Sequence, residues 1–247
     1  MKQQKQFWVS FIPRHVSNRV FLGIYHFISL IPVPRKIREN NYNTNIVQLK
    51  NRRWDFWTVP SAYIENQNEW DNIMYGAGKH HNMRHSGCEI IATFNALKAL
   101  TGTGSPESMA ELIREYEARG AALRGEWGVS PRAIGAFFRK HGFPVMTTGK
   151  RDRDSLEMID RQSKVLIAVA YNDANDITRQ VHTVCITKDA GKKYVLHNAY
   201  CKDKNGKYIA SVPYATLSDA LSHMSRYESK LIYLIGIAGT ADAIHSN

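Results

Sequence analysis

The chain has 247 residues, 43% hydrophobic and 22% charged, with a formal net charge of +11 and three cysteines. That is enough chain for one sizeable domain with or without an appendage, and too few cysteines for a disulfide framework. The odd cysteine count points to a reducing compartment. The start, MKQQKQFWVSFIPRHVSNRV, has no unbroken apolar run of the secretory type, so a cytoplasmic location is expected.

The charge is unevenly placed. Residues 1–60 hold ten Lys and Arg against Glu39 and Asp55, a balance of +8, leaving only +3 for residues 61–247. This divides the chain into a basic, aromatic-rich N-terminal extension (1–60) and a body (61–247). Within the extension, Val20 to Ile31 is apolar apart from Gly23, His26 and Ser29, and Pro32 and Pro34 then stop any helix. A span needs about 20 residues, so this stretch is too short to cross a bilayer. It is expected to pack on the body as a helix or cap. With its basic flanks it also suits peripheral membrane contact through residues 1–40. Nucleic acid is not an expected partner, because no basic-aromatic pattern continues into the body.

In the body, a helix is expected from Cys88 to Leu100, stopped at Thr101-Gly102. A second starts at Ser105-Pro106-Glu107 and ends at Gly120. A third starts at Ser130-Pro131 and ends at Gly142. Five strand-like runs follow: FPVMTT, KVLIAVAY, VHTVCIT, KYVLHNAY and KLIYLIGIA. A short helix, TLSDALSHM, lies before the last. Helices first and an antiparallel sheet after define an α+β class.

Three residues carry candidate chemistry. Cys88 heads the first body helix, where unsatisfied N–H groups and the helix dipole favour a thiolate. His182 lies in VHTVCIT and Asn198 in KYVLHNAY. A three-residue hairpin loop, Asp189-Ala190-Gly191, would set His182 directly opposite Asn198, with Cβ atoms about 4.5–5.5 Å apart. Nucleophile, base and orienter would then be complete. His197 should face the other side of its strand and is left out of the triad. Cys185 and Cys201 read as core or strand-end thiols, and Trp127 as packing or a cleft rim.

Cys88 at the head of a central helix, His182 opening a strand and Asn198 sixteen residues later resemble the papain-like cysteine peptidases. The nearest likeness is to the bacterial double-glycine leader peptidases that process bacteriocin precursors. GVSPRAIGAFFRKHGFPV is similar to the segment that follows their nucleophile helix. The resemblance covers roughly residues 80–240 and implies a papain-like α+β domain. It also implies a thiol hydrolase cleaving a peptide or isopeptide bond of a peptide or protein substrate through an acyl-enzyme, without a cofactor. Asn82, six residues before Cys88, takes the place of the family's oxyanion glutamine. Glu89 stands where the family often has a small residue, and its charge would oppose a thiolate if it pointed inward. These two departures motivate an alternative, an inactive papain-like peptide-binding module; a related cysteine acyltransferase or deamidase is the other.

The stretch HHNMRHSGC also raises a metal reading, through His80, His81, His85 and Cys88. His81 and His85 have helical ligand spacing, but Gly78 and Ser86-Gly87 predict a loop there and no second Cys/His pair follows. No metal is expected.

Overall fold

The computed structural model describes residues 11–52, 54–173, 175–224 and 230–239. Its first complete helix, α1 (Asn18–Ile28), has Ser17 as N-cap and ends ahead of Pro32. Helices α2 (Arg35–Asn51) and α3 (Asp55–Thr58) follow, and then a short α4 (Met83–Ser86). The expected body helices are α5 (Cys88–Thr101), α6 (Pro106–Ala118) and α7 (Pro131–Lys140). Ser105 and Ser108 form the capping box of α6, whereas Ser130 makes no side-chain cap to α7.

Strands β1 (Val145–Thr148), β2 (Val165–Tyr171), β3 (Val181–Lys188), β4 (Tyr194–His197) and β5 (Leu231–Ile237) coincide with the five predicted runs. Two further helices, α8 (Arg153–Arg161) and α9 (Leu217–Ser222), stand between strands. The strands form one antiparallel sheet in the order β1-β5-β2-β3-β4, so the class is α+β. β2 is buried along its whole length, which is why VLIAVAY reads as a continuous apolar run rather than an alternation.

The two faces of the sheet carry separate cores. Ile90, Ile91 and Phe94 of α5 pack with Val165, Ile167, Cys185, Ile235 and Ile237. On the far face, Leu156 and Ile159 of α8 and Leu217 and Leu221 of α9 meet Leu166, Ala168, Ala170, Val184, Ile186 and Leu234. Side chains alternate along a strand, so odd positions of β2 and β3 face α5 and even positions face α8 and α9.

The basic extension is integrated with the body. Val33, Leu49 and Phe56 belong to the α5-side core, and Phe21, Leu22 and Tyr25 pack on Val169, Tyr171 and Val181. The buried positions of α2 are Asn41, Asn45 and Leu49, at helical spacing. Asn45 exchanges two hydrogen bonds with the main chain of Met74, its Nδ2 donating to the carbonyl (2.8 Å) and its Oδ1 accepting from the amide (2.7 Å). Asn41 donates to the Gly76 carbonyl (3.0 Å) and to Glu117 Oε1 (2.6 Å). The packing of α2 on α6 is therefore secured by satisfied polar groups as well as by apolar area. No helix among the described residues is long and apolar enough to cross a membrane.

Candidate functional site

Cys88 is the first residue of α5, as expected, reached from α4 through Gly87. Its side chain is 6% exposed. The thiol donates to Glu89 Oε2 (3.3 Å) and approaches the Val181 carbonyl of β3 (3.8 Å). Burial, with the Glu89 carboxyl beside it, pushes the thiol well above its ordinary value. The helix N-terminus does not offset this, because desolvation of a buried charge is the larger effect.

Glu89 points inward and is 1% exposed. Burial raises its carboxyl to about 8, so at neutral pH the pair is mostly a thiol beside a protonated acid. The loop that covers it contains Gly128, in the left-handed region at φ 71°, where a Cβ would come within 2.5 Å of Glu89 Oε2. Tyr75 donates its hydroxyl to the Gly128 carbonyl (2.9 Å), and Tyr25 of α1 donates to the Trp127 carbonyl. Trp127 is thus held as part of the cover over the thiol.

His182 is the second residue of β3 and 1% exposed. It pairs with Ala170, which belongs to the core on the α8/α9 face, whereas the Cys88 sulfur lies beside Val181 and Thr183, whose side chains take the opposite phase of β3. Strand alternation thus turns the expected base away from the face that carries the expected nucleophile. The His182 Nε2–H donates to the main-chain carbonyl of Asn198 (2.7 Å), which fixes the tautomer. Burial lowers this imidazole to about 4, so it is neutral across the physiological range.

The expected His182–Asn198 opposition also fails, through the turn. The β3–β4 loop runs over five residues, Asp189 to Lys193, with Lys192 rather than Gly191 in the left-handed region (φ 59°). The ladder pairs Cys185 with His197 and Lys188 with Tyr194, two positions away from the three-residue loop. The residue that falls across from His182 is Tyr200, whose ring stacks on the imidazole at 4.4 Å. Asn198 sits just past β4 with φ 60° and turns its side chain to Gln67. Its Oδ1 accepts from the Gln67 amide (3.2 Å) and its Nδ2 donates to Gln67 Oε1 (3.4 Å).

Asn82 is the N-cap of α4, its Oδ1 accepting from the His85 amide (3.0 Å). That oxygen is committed to a helix end. Gln67, which pattern reading missed, donates to the carbonyls of Met83 (3.1 Å) and Arg84 (3.0 Å) and so ties the Asn198 loop to α4. His197 is on the α5 side and is engaged at both nitrogens, with Glu65 (2.7 Å) and Thr187 (2.9 Å). All three cysteines are free thiols. Of the four predicted site residues, Cys88 heads its helix as expected, His182 is bonded to the main chain of Asn198 and the Asn198 side chain to Gln67 rather than to its sulfur, and Asn82 caps α4 with its side-chain carbonyl oxygen.

A concavity of about 500 Å³ lies between the end of α1, the end of α6, and α7. Ala118, Ala133, Ala136 and Phe137 form an apolar floor, and Arg119, Arg132 and Lys140 stand on its rim. No protein-family model matches the chain, and neither the curated proteins nor the solved structures give a match.

Proposed function

We propose that the chain is a papain-like α+β domain that binds a peptide or protein partner without cleaving it. The observation that carries this reading is the separation of Cys88 and His182 onto opposite faces of the sheet, each buried and each in its uncharged form. Acyl-enzyme chemistry needs the base within hydrogen-bond reach of the nucleophile. Cys88 heading α5 ahead of an antiparallel sheet keeps the layout of the papain-like resemblance, and Glu89 occupies the space beside the sulfur. The cleft beside α7, with an apolar floor and a rim of Arg119, Arg132 and the Lys140–Glu115 pair, has the size of a ligand site. Iodoacetamide near pH 6 tests the reading. Cys88 should label more slowly than the half-buried Cys201, and no peptide hydrolysis should depend on it. Stoichiometric labelling of Cys88 ahead of Cys201, with a peptidase activity abolished by Cys88→Ser, would restore the thiol hydrolase.

A second observation favours peripheral membrane contact. Val20, Ile24 and Phe27 recur at helical spacing on α1 and are 54%, 56% and 72% exposed, with Leu30, Ile31 and Leu123 beside Phe27. The opposite side of α1, Phe21, Leu22 and Tyr25, is the side packed on the body. A contiguous exposed apolar face flanked by Arg19, Arg35, Lys36 and Arg38 suits an anionic lipid interface. Residues 1–10 of the proposed arm lie outside the described residues. Ile24→Asp/Phe27→Asp should abolish co-sedimentation with vesicles containing phosphatidylserine, while unchanged sedimentation would eliminate this reading.

A further inference from the structure

The histidine stretch that begins the metal reading is arranged differently from its sequence spacing. His81 has φ 28° and turns its Nδ1 toward the Gly78 carbonyl (3.3 Å). His80 and His85 instead stack their rings at 3.9 Å and both face Glu126, which comes from a loop 41 residues beyond His85. His80 Nδ1 lies 2.8 Å and His85 Nε2 3.6 Å from Glu126 Oε1. One donor atom from each of the three residues lies within 4.8 Å of the others.

Several independent features build this arrangement. The two loops touch backbone to backbone: Ala77 donates its amide to the Arg124 carbonyl (2.8 Å), and a Cβ on Gly125 would stand 2.7 Å from the Gly76 Cα. The turn that presents Glu126 contains Leu123 and Arg124, two non-glycine residues in the left-handed region (φ 48° and 56°). A Cβ on Gly78 would stand 2.0 Å from Glu126 Oε2, so glycine there leaves room for the acid to reach the edges of both imidazoles. Gln180 is also left-handed (φ 62°), and its amide donates to His85 Nε2 (3.3 Å) and to the Glu126 main-chain carbonyl (3.2 Å). Strained positions of this kind persist only where the surroundings over-determine them, and they gather at functional sites.

We propose that His80, His85 and Glu126 bind a divalent first-row cation of the zinc class, leaving one coordination position open to solvent. Two imidazole nitrogens and a carboxylate are a donor set that suits Zn²⁺ and its neighbours. Donors on a tetrahedral zinc stand about 3.3–3.5 Å apart at ordinary bond lengths. The 2.8 and 3.6 Å separations from Glu126 bracket that figure and all three donors lie within 4.8 Å, so the ion closes the set once the His80 and His85 rings rotate out of their stack. The side chains of His80, His85 and Glu126 are 46%, 31% and 26% exposed, which gives the ion a path in and a face for water or a ligand donor. Binding through His80 Nδ1 leaves the ring's N–H on Nε2, replaces the His80–Glu126 hydrogen bond, and displaces the Gln180 amide from His85 Nε2. The site does not involve Cys88 and stands apart from the binding reading above.

Calorimetry of the EDTA-treated full chain with ZnCl₂ at pH 7.5 tests this. One zinc per chain should bind, and more weakly at pH 6, where protons compete for the donor atoms. Glu126→Gln and His85→Ala should each weaken binding about tenfold or more, while His141→Ala, in a separate pair with Glu115, should not. In the unmodified chain, zinc should shift the imidazole ¹⁵N resonances of His80 and His85 specifically. Absence of saturable binding at about 100 μM zinc, or one-to-one binding that leaves those resonances unmoved, would overturn the proposal.

Discussion

Glu89→Gln is the substitution that most directly tests the closed, protonated pair at the head of α5. The Glu89 carboxyl titrates near 4.5 when unfolded and near 8 in the folded chain, the shift caused by burial. Between those values the native state keeps a proton that the unfolded state has released. Rising pH therefore favours unfolding: the group costs nothing below about 4.5, and its cost grows until the pH passes the folded value. The slope is about 1.4 kcal/mol per pH unit, so on the order of 3 kcal/mol is lost by pH 7. Glutamine keeps the size of the protonated acid and an acceptor for the Cys88 thiol, but it cannot ionise. Any fixed cost of placing its NH₂ is independent of pH, so the slope isolates the carboxyl. Urea unfolding followed by tryptophan fluorescence at pH 5, 6, 7 and 8 should show the variant gaining on the wild type by about 1.4 kcal/mol per unit. A difference that stays flat across that range would mean that Glu89 ionises in the folded chain, and the closed site described around Cys88 would be wrong.

His182 behaves in the opposite sense. Its folded value near 4 against 6.5 unfolded means that its contribution is complete above pH 6.5 and declines as pH falls, by about 3 kcal/mol at pH 4. In an imidazole ¹⁵N titration it should remain the neutral Nε2–H tautomer at pH 5; protonation there would contradict its burial on the far face. Gly128→Ala sets a Cβ against the Glu89 carboxyl at a φ of 71° and should destabilise by about 2 kcal/mol or more, read as a fall in Tm. Asn45→Ala removes two half-buried bonds and leaves the Met74 amide and carbonyl without their partner, for about 1–3 kcal/mol in chemical denaturation. A loss below about 0.5 kcal/mol would show that α2 is not part of the cooperative core.

The legibility of this chain follows the kind of signal each element carries. The helices from Cys88, Pro106 and Pro131 and all five strands could be read because apolar periodicity and stop residues agree there. Helix α2 was missed because its inward face is written in asparagine. The spacing Asn41, Asn45, Leu49 is helical, but an apolar count does not register a side chain that is buried by hydrogen-bonding to loops not yet placed. Helix α8 was passed over for a related reason: only Leu156 and Ile159 are buried in it, although Asp152 capping Ser155 was a readable start. The site failed at a finer level. Cys88 was legible because a helix N-terminus is a local feature. The pairing of His182 with Asn198 depended on the length of one turn, and a loop of five residues rather than three moved every partner by two positions. Which face His182 takes was a separate matter, set by the phase of β3 against α5, and a single sequence does not carry that phase. Glu65 and Gln67, which hold the His197–Asn198 corner, lie about 130 residues away in the chain. The same limit applies to Glu126. The histidine cluster is conspicuous in the sequence, but the acid that faces it belongs to another loop, brought there by a contact between two glycines. A spacing rule such as His-x3-His presumes that ligands share a helix. Here it selected His81, which the backbone turns toward Gly78, and passed over His80, whose ring stacks on His85.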